Sequence, residues 1–180
     1  TPMNGVVGMI RLLMETPLSD EQRHFAETAK GSADSLLGLI NDILDFSKIE
    51  AGKLELERLD FDLARLIEDV GGALAVRAHE KGVELNHEIV SGVPTWLCGD
   101  PGRLRQILTN LAGNAVKFTP KGEILLKVER AEGHDSSAGI LLRFSVRDTG
   151  IGIPPEKQAL LFNKFSQVDA STTRQYGGTG

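Results

Sequence analysis

The amino-acid sequence predicts an α+β protein: a helical hairpin over residues 1–50 that makes half of a dimeric four-helix bundle, then an α/β sandwich over residues 54–180. Three observations predict it. Two helical periodicities near the start are divided by a break and a capping box, the hydrophobic pattern switches to alternation after residue 53, and from there helix and strand patterns are mixed.

Composition narrows the function classes. Of 180 residues, 41% are hydrophobic and 25% charged, the balance of an ordinary folded domain and not of a disordered chain. Twenty Lys and Arg against 25 Asp and Glu give a formal net charge of −5. That charge argues against a nucleic-acid or anionic-membrane binder whose affinity comes from neutralising phosphates. No run approaches the roughly 18 apolar residues of a membrane span, so no direct membrane contact is expected of these residues. Cys98 is the single cysteine, which excludes an intrachain disulfide and fits a reducing compartment. It reads as a packing residue, with Trp96 beside it at a domain edge.

Met3, Val6, Val7, Ile10, Leu13 and Met14 recur at helical spacing, and Thr16-Pro17-Leu18 ends that first helix. Ser19 and Gln22 form a capping box that opens a second, much longer helix. Its apolar positions, among them Phe25, Ala29, Leu36, Ile40 and Ile43, run on for about 30 residues, more than one short antiparallel partner can cover. Dimerisation through residues 1–50 is the expected solution. Gly52 reads as the C-terminal cap.

Leu54, Leu56, Phe61 and Leu63 alternate with charged residues as a short strand entering a new domain. A helix is expected over 63–81 and a strand over Val83–Val90. Asp100-Pro101 supplies an N-cap followed by an N1 proline for a helix reaching Phe118. Strands over Glu123–Arg130 and Gly139–Asp148 flank a polar loop, and a short helix is expected near Pro155–Phe162. Lys121 and Lys127 read as solvated.

Three residue sets carry chemistry. Asn110, Asn114 and Lys117 fall at i, i+4 and i+7, so two carboxamides and an ammonium share one helical face. A hard oxygen ligand beside a phosphate-binding amine has this form, and so does a solvated polar stripe. Mid-helix Gly113 costs roughly 1 kcal/mol relative to Ala, which suggests close packing. Asp148-Thr149-Gly150-Ile151-Gly152 comes directly after a strand: the carboxylate can accept from an exocyclic amine while glycines admit a flat ring, although a tight turn explains the pattern equally. Gly177-Gly178-Thr179-Gly180 is either a nest of backbone donors for phosphate or a flexible tail.

In this order and spacing the sets resemble the sensor histidine kinases of two-component signalling, over nearly the whole chain. Asp100 to Thr119 is similar to that family's N box, Asp148 to Ile153 to its first glycine box, Leu161 to Gln167 to its phenylalanine box, and Gly177 to Gly180 to the start of its second glycine box. Thr1 to Gly5 resembles the stretch immediately after the phosphoacceptor histidine motif, and Asp45 to Leu54 the close of the dimerisation hairpin, in the manner of hybrid kinases that carry a receiver domain.

The resemblance implies a catalytic ATP-binding domain of the gyrase and histidine-kinase type over 54–180, with ATP and Mg²⁺ as cofactors. By the same resemblance, Asn114 coordinates the metal, Asn110 supports phosphate and metal, Lys117 neutralises phosphate and Phe118 packs on adenine. Asp148 reads the adenine amine, Gly150 and Gly152 leave room for the base, and Gly178, Thr179 and Gly180 meet the phosphates in a lid, with Arg174 the candidate γ-phosphate partner. It further implies transfer to a histidine and onward to the Asp of a response-regulator receiver domain, in the cytoplasmic portion of a membrane-anchored bacterial sensor.

The same resemblance places the acceptor histidine four residues before Thr1, so a fragment lacking the acceptor and truncated in the lid is expected. His24, His79, His87 and His134 lack its motif and read as ordinary histidines. No catalytic residue is therefore assigned within the chain. Two alternatives stand beside this reading. A gyrase-type or MutL-type ATPase typically places a glutamate base where this chain has Asn110, and an amide cannot accept that proton. A non-catalytic dimerisation and docking fragment needs only residues 1–50.

Overall fold

The computed structural model describes residues 2–131 and 139–158, which fall into two compact units, one ending at Glu55 and one beginning at Leu56. In the first, α1 (Pro2–Met14) and α2 (Asp20–Glu50) form the hairpin. The capping box is complete: the Gln22 N–H donates to the Ser19 hydroxyl at 3.2 Å and the Ser19 N–H to the Gln22 side chain at 3.0 Å. At the other end Gly52 takes φ +63°, its N–H donates to Ile49 O and that of Lys53 to Lys48 O, the paired bonds of a Schellman close. Only Val7, Ala26 and Ala33 are buried among the described residues of this unit, while Met9, Leu12, Phe25, Ile43 and Ile49 are more than half exposed. That much wet apolar surface on a helix pair is the kind that a packing partner covers.

The second unit begins with β1 (Leu59–Asp62), later than the expected start near Leu54. The reason is the length of its partner. β3 (Trp96–Gly99) is four residues long, and the antiparallel register ends at the Leu59–Gly99 pair, so nothing remains for Leu54 and Leu56 to join. Leu97 pairs with Phe61 on the core side, which turns Trp96 and Cys98 outward. Trp96 is 68% exposed and Cys98 is exposed, so Cys98 is not the packing residue the sequence suggested.

Asp62 caps α3 (Leu63–Glu80), and β2 (Val83–Ile89) comes after Gly82 in the left-handed region. Asp100 caps α4 (Pro101–Phe118): its Oδ1 accepts the Arg103 N–H at 2.9 Å and its Oδ2 the Glu57 N–H at 3.1 Å, tying the entry of the unit to the helix start. These backbone donors hold the Asp100 carboxyl below the usual carboxylate range. β4 (Gly122–Arg130) and β5 (Leu142–Asp148) complete the sheet, and α5 (Pro155–Gln158) ends the described chain. β5 starts at Leu142, not Gly139, because its ladder with β4 stops at the Arg130–Leu142 pair.

The three-stranded sheet has the order β2-β4-β5, with β2 parallel and β5 antiparallel to the central β4. Ile124, Leu126 and Val128 alternate toward one face, where Leu63, Ile67 and Val70 of α3 and Leu108, Ala112 and Val116 of α4 close the core. Each large aliphatic side chain among them contributes about 1.5–3 kcal/mol by leaving water. The opposite face of β4 carries Lys127 and Glu129. Lys127 is half-buried and paired with Glu129, so it is not simply solvated, and the pairing raises the Lys127 pKa and lowers that of Glu129. Among the described residues no helix is long and apolar enough to cross a membrane.

Candidate functional site

α4 brings Asn110, Asn114 and Lys117 to one side of a single cylinder, since i, i+4 and i+7 positions stack along a helix. Both carboxamides are exposed, and neither has a hydrogen-bond partner among the described residues. The apolar face of α4, Leu108, Ala112, Ala115 and Val116, packs inward and leaves this stripe outward. Lys117 Nζ lies 4.9 Å from the centroid of the half-buried Phe118 ring, a cation–π approach.

The glycine turn is fixed to the end of this helix. The Ile151 N–H donates to the Phe118 carbonyl at 3.2 Å. A Cβ at Gly150 would stand 2.5 Å from that same oxygen and 2.8 Å from Asp148 Oδ1, so only glycine fits. The Gly150 N–H donates to Asp148 Oδ1 at 2.9 Å, which orients the exposed carboxylate and leaves its second oxygen to accept. Gly152, at φ +67°, has nothing within 4 Å of where a Cβ would sit, which leaves open space at the turn.

A second lock holds the turn from below. The Thr149 hydroxyl accepts from the Glu123 N–H at 3.0 Å, and the Thr149 N–H donates to Glu123 O at 3.2 Å. Gly122 makes room for it: a Cβ there would meet Thr149 Oγ1 at 2.1 Å, at a φ of +122°. Thr119, directly after Phe118, is fully buried and its hydroxyl has no hydrogen-bond partner among the described residues. Sequence reasoning missed Gly122 as part of this region, and it placed Thr149 and Thr119 inside motifs without giving either a role. A glycine two residues after Pro120, a turn pattern, was the available signal for Gly122.

The structure thus joins Phe118, Asp148 and Gly150 directly, with Asn114 and Asn110 one and two turns back along α4. Gly178, Thr179, Gly180 and Arg174 lie outside the described residues, as do the phenylalanine-box positions, the polar loop with His134 and the rest of the helix expected to reach Phe162. A small enclosed void of about 10 Å³ sits between α3 and β2 around Gly71 and His87, away from this site. His24, His79 and His87 are exposed.

Residues 99–180 match the family described as histidine kinase-, DNA gyrase B- and HSP90-like ATPase, and residues 1–52 match the His Kinase A (phospho-acceptor) domain. The chain belongs to the histidine kinases. Its order of domains is theirs, helical hairpin first and α/β layer second. Among relatives, this kinase segment is 49% identical over 180 residues to the signal transduction histidine-protein kinase BarA of Escherichia coli, spanning all of this chain and 19% of that protein. It is 47% identical to the hybrid signal transduction histidine kinase L of Dictyostelium discoideum, spanning all of this chain and 10% of that protein. The segment therefore covers about a fifth or less of these curated relatives. Among solved structures it resembles full-length ShkA in complex with AMPPNP, at TM-score 0.73 and 43% identity, covering 96% of this chain and 36% of that one. The α+β architecture is that of the family.

On its own geometry the site offers acceptors, an ammonium and an open glycine turn along one face. A glycine that cannot gain a side chain presents a flat backbone wall, the second oxygen of an exposed carboxylate can accept a hydrogen bond, and two carboxamides without partners among the described residues continue the face with an ammonium. Among the described residues no three His, Cys, Asp or Glu cluster as a metal cage. The exposed Asn114 amide oxygen is the hard ligand that this face would offer a divalent ion such as Mg²⁺.

Proposed function

We propose that this chain is the transmitter part of a two-component sensor kinase: it binds Mg²⁺-ATP, passes the γ-phosphoryl group to a histidine and then to the Asp of a response-regulator receiver domain. The observation that carries the reading is the junction at Phe118, where the carboxamide and ammonium stripe of α4 meets the Asp148–Gly152 turn. Asp148 accepts from the adenine amine, and Gly150 and Gly152 let the base approach. Phe118 lies along the ring, Lys117 leaves it for a phosphate oxygen, and Asn110 and Asn114 orient phosphate and metal. Mg²⁺, when bound, withdraws charge from the phosphates.

Phosphoryl transfer asks the protein mainly to align reactants and compensate charge. An imidazole nitrogen forms the new bond to the γ-phosphorus, the bond from that phosphorus to the bridging oxygen breaks, ADP leaves, and the imidazole proton goes to solvent. Transfer is favoured over hydrolysis because α4 contains no Asp or Glu, so this helix offers no base to activate water. Homodimerisation through residues 1–50 is part of the same proposal, supported by the wet apolar surface of the hairpin. Residues 54–180 form the nucleotide-binding part.

The test is complementation. The chain is mixed with an acceptor kinase whose own nucleotide site is disabled, and transfer of labelled γ-phosphate from Mg²⁺-ATP to its histidine is measured. Label is expected on the acceptor with the wild-type chain and not with Asn114→Ala. Failure of the wild-type chain to bind any adenine nucleotide refutes the reading.

A further inference from the structure

The last carbonyls of a helix have no partner within it, and in α4 the regular ladder ends at Ala115 O, while the three carbonyls after it have donors from elsewhere in the fold. Ala115 O accepts from the Thr119 N–H at 3.0 Å, and Phe118 O from the Ile151 N–H at 3.2 Å. The two between them, Val116 O and Lys117 O, both accept from the ammonium of Lys81, at 2.9 and 2.8 Å. Lys81 is the residue on which α3 ends, 35 positions away in sequence from Val116. A positive charge at a helix C-terminus also complements the partial negative charge of the aligned peptide dipoles.

We propose that Lys81 is a positioning residue for the nucleotide site: by closing the end of α4 from outside, its ammonium fixes where Lys117 and Phe118 sit and so where the Asp148–Gly152 turn is anchored. The inference rests on the reading of that face as a nucleotide site. Its chemistry is specific. Two carbonyls pointing the same way need at least two N–H bonds, and a charged donor strengthens both; Lys and Arg supply bonds and charge, a thioether neither. Without it, two carbonyls adjoining the aromatic ring and the glycine turn must find water, and the final turn of the helix loosens at the place where the base is held.

The experiment compares Lys81→Met and Lys81→Arg in the full 180-residue chain by two readouts. The first is amide hydrogen exchange at Ile151, measured without nucleotide, against Val128 in β4 as an internal reference. The second is titration with a fluorescent trinitrophenyl-ATP analogue. Lys81→Met should speed Ile151 exchange with Val128 unchanged, and weaken analogue binding about tenfold, while Lys81→Arg stays within about twofold of wild type on both. Unchanged Ile151 exchange in Lys81→Met overturns the inference, as does unchanged affinity, or an equal loss in both variants. A wild-type chain that binds no nucleotide overturns the reading of the site itself and this inference with it; that outcome is distinguished because it appears before any variant is compared.

Discussion

Gly150 approaches Phe118 so closely that any side chain at position 150 would collide with the Phe118 carbonyl oxygen, 2.5 Å from the first added carbon. That oxygen belongs to backbone already engaged by the Ile151 N–H, so it cannot step aside without breaking the bond that anchors the turn. Gly150→Ala should therefore destabilise the α/β unit by about 1–3 kcal/mol and weaken adenine-nucleotide binding about tenfold. Urea unfolding and nucleotide titration measure the two effects; an Ala variant with wild-type affinity would remove the close approach as a working part of the site.

Gly122 and Thr149 should be energetically coupled. Gly122→Ala brings a carbon to 2.1 Å from the Thr149 hydroxyl at a φ of +122°, and is expected to cost about 2 kcal/mol. Thr149→Ala loses its side-chain bonds to Glu123 and should cost about 1 kcal/mol. Removing the hydroxyl also removes the clash, so the double variant should lose less than the sum of the two. Additive losses in a double-mutant cycle would show that the contact is relieved in solution.

Asp100 gives the unit a pH signature. Backbone donors from Arg103 and Glu57 hold its folded-state pKa below the ordinary Asp value. A depressed carboxylate contributes stability that is fully present above the unfolded pKa and is lost as pH falls through the folded one. Asp100→Asn should thus be less stable than wild type near neutral pH, and the gap should close as pH is lowered through and below the carboxylate range. Equal urea midpoints for the two proteins at neutral pH would contradict it.

Thr119 is a different case, a buried hydroxyl with no partner among the described residues. Leaving such a group unsatisfied costs about 1–3 kcal/mol, so Thr119→Val should be neutral or stabilising, by up to about 1 kcal/mol in thermal or urea unfolding. A clear loss of stability would mean that the hydroxyl is paired in solution, by water or by nucleotide.

On the hairpin, Ile43 stands more than half exposed on a helix with little buried surface of its own. Burying a glutamate in an apolar seam is costly, so Ile43→Glu should shift the chain from dimer to monomer in sedimentation at micromolar concentration. An unchanged dimer would place the interface on another face of the hairpin.

Much of the fold was legible because its signals are local. Ser19 with Gln22 and Asp100 with Pro101 marked two helix starts correctly, and alternation marked β2. β3 escaped because four residues carry no readable period, and its outward Trp96 and Cys98 made it look like an edge of packing. The stripe Asn110, Asn114 and Lys117 could be read from spacing alone. What could not be read is which distant backbone each element touches. Lys81 beside Gly82 looks like an ordinary close to its own helix, and only the fold shows that its ammonium serves another helix.

The parallel register has one further consequence. Val83 of β2 sits opposite Gly122 of β4, so the joints out of α3 and α4 enter the sheet side by side. Lengthening either joint by a single residue would slide the ammonium of Lys81 out of reach of the carbonyls it bridges, or invert one strand's inside and outside. These two connectors are accordingly poor places for tags, spliced peptides or altered chain ends, however exposed their residues look.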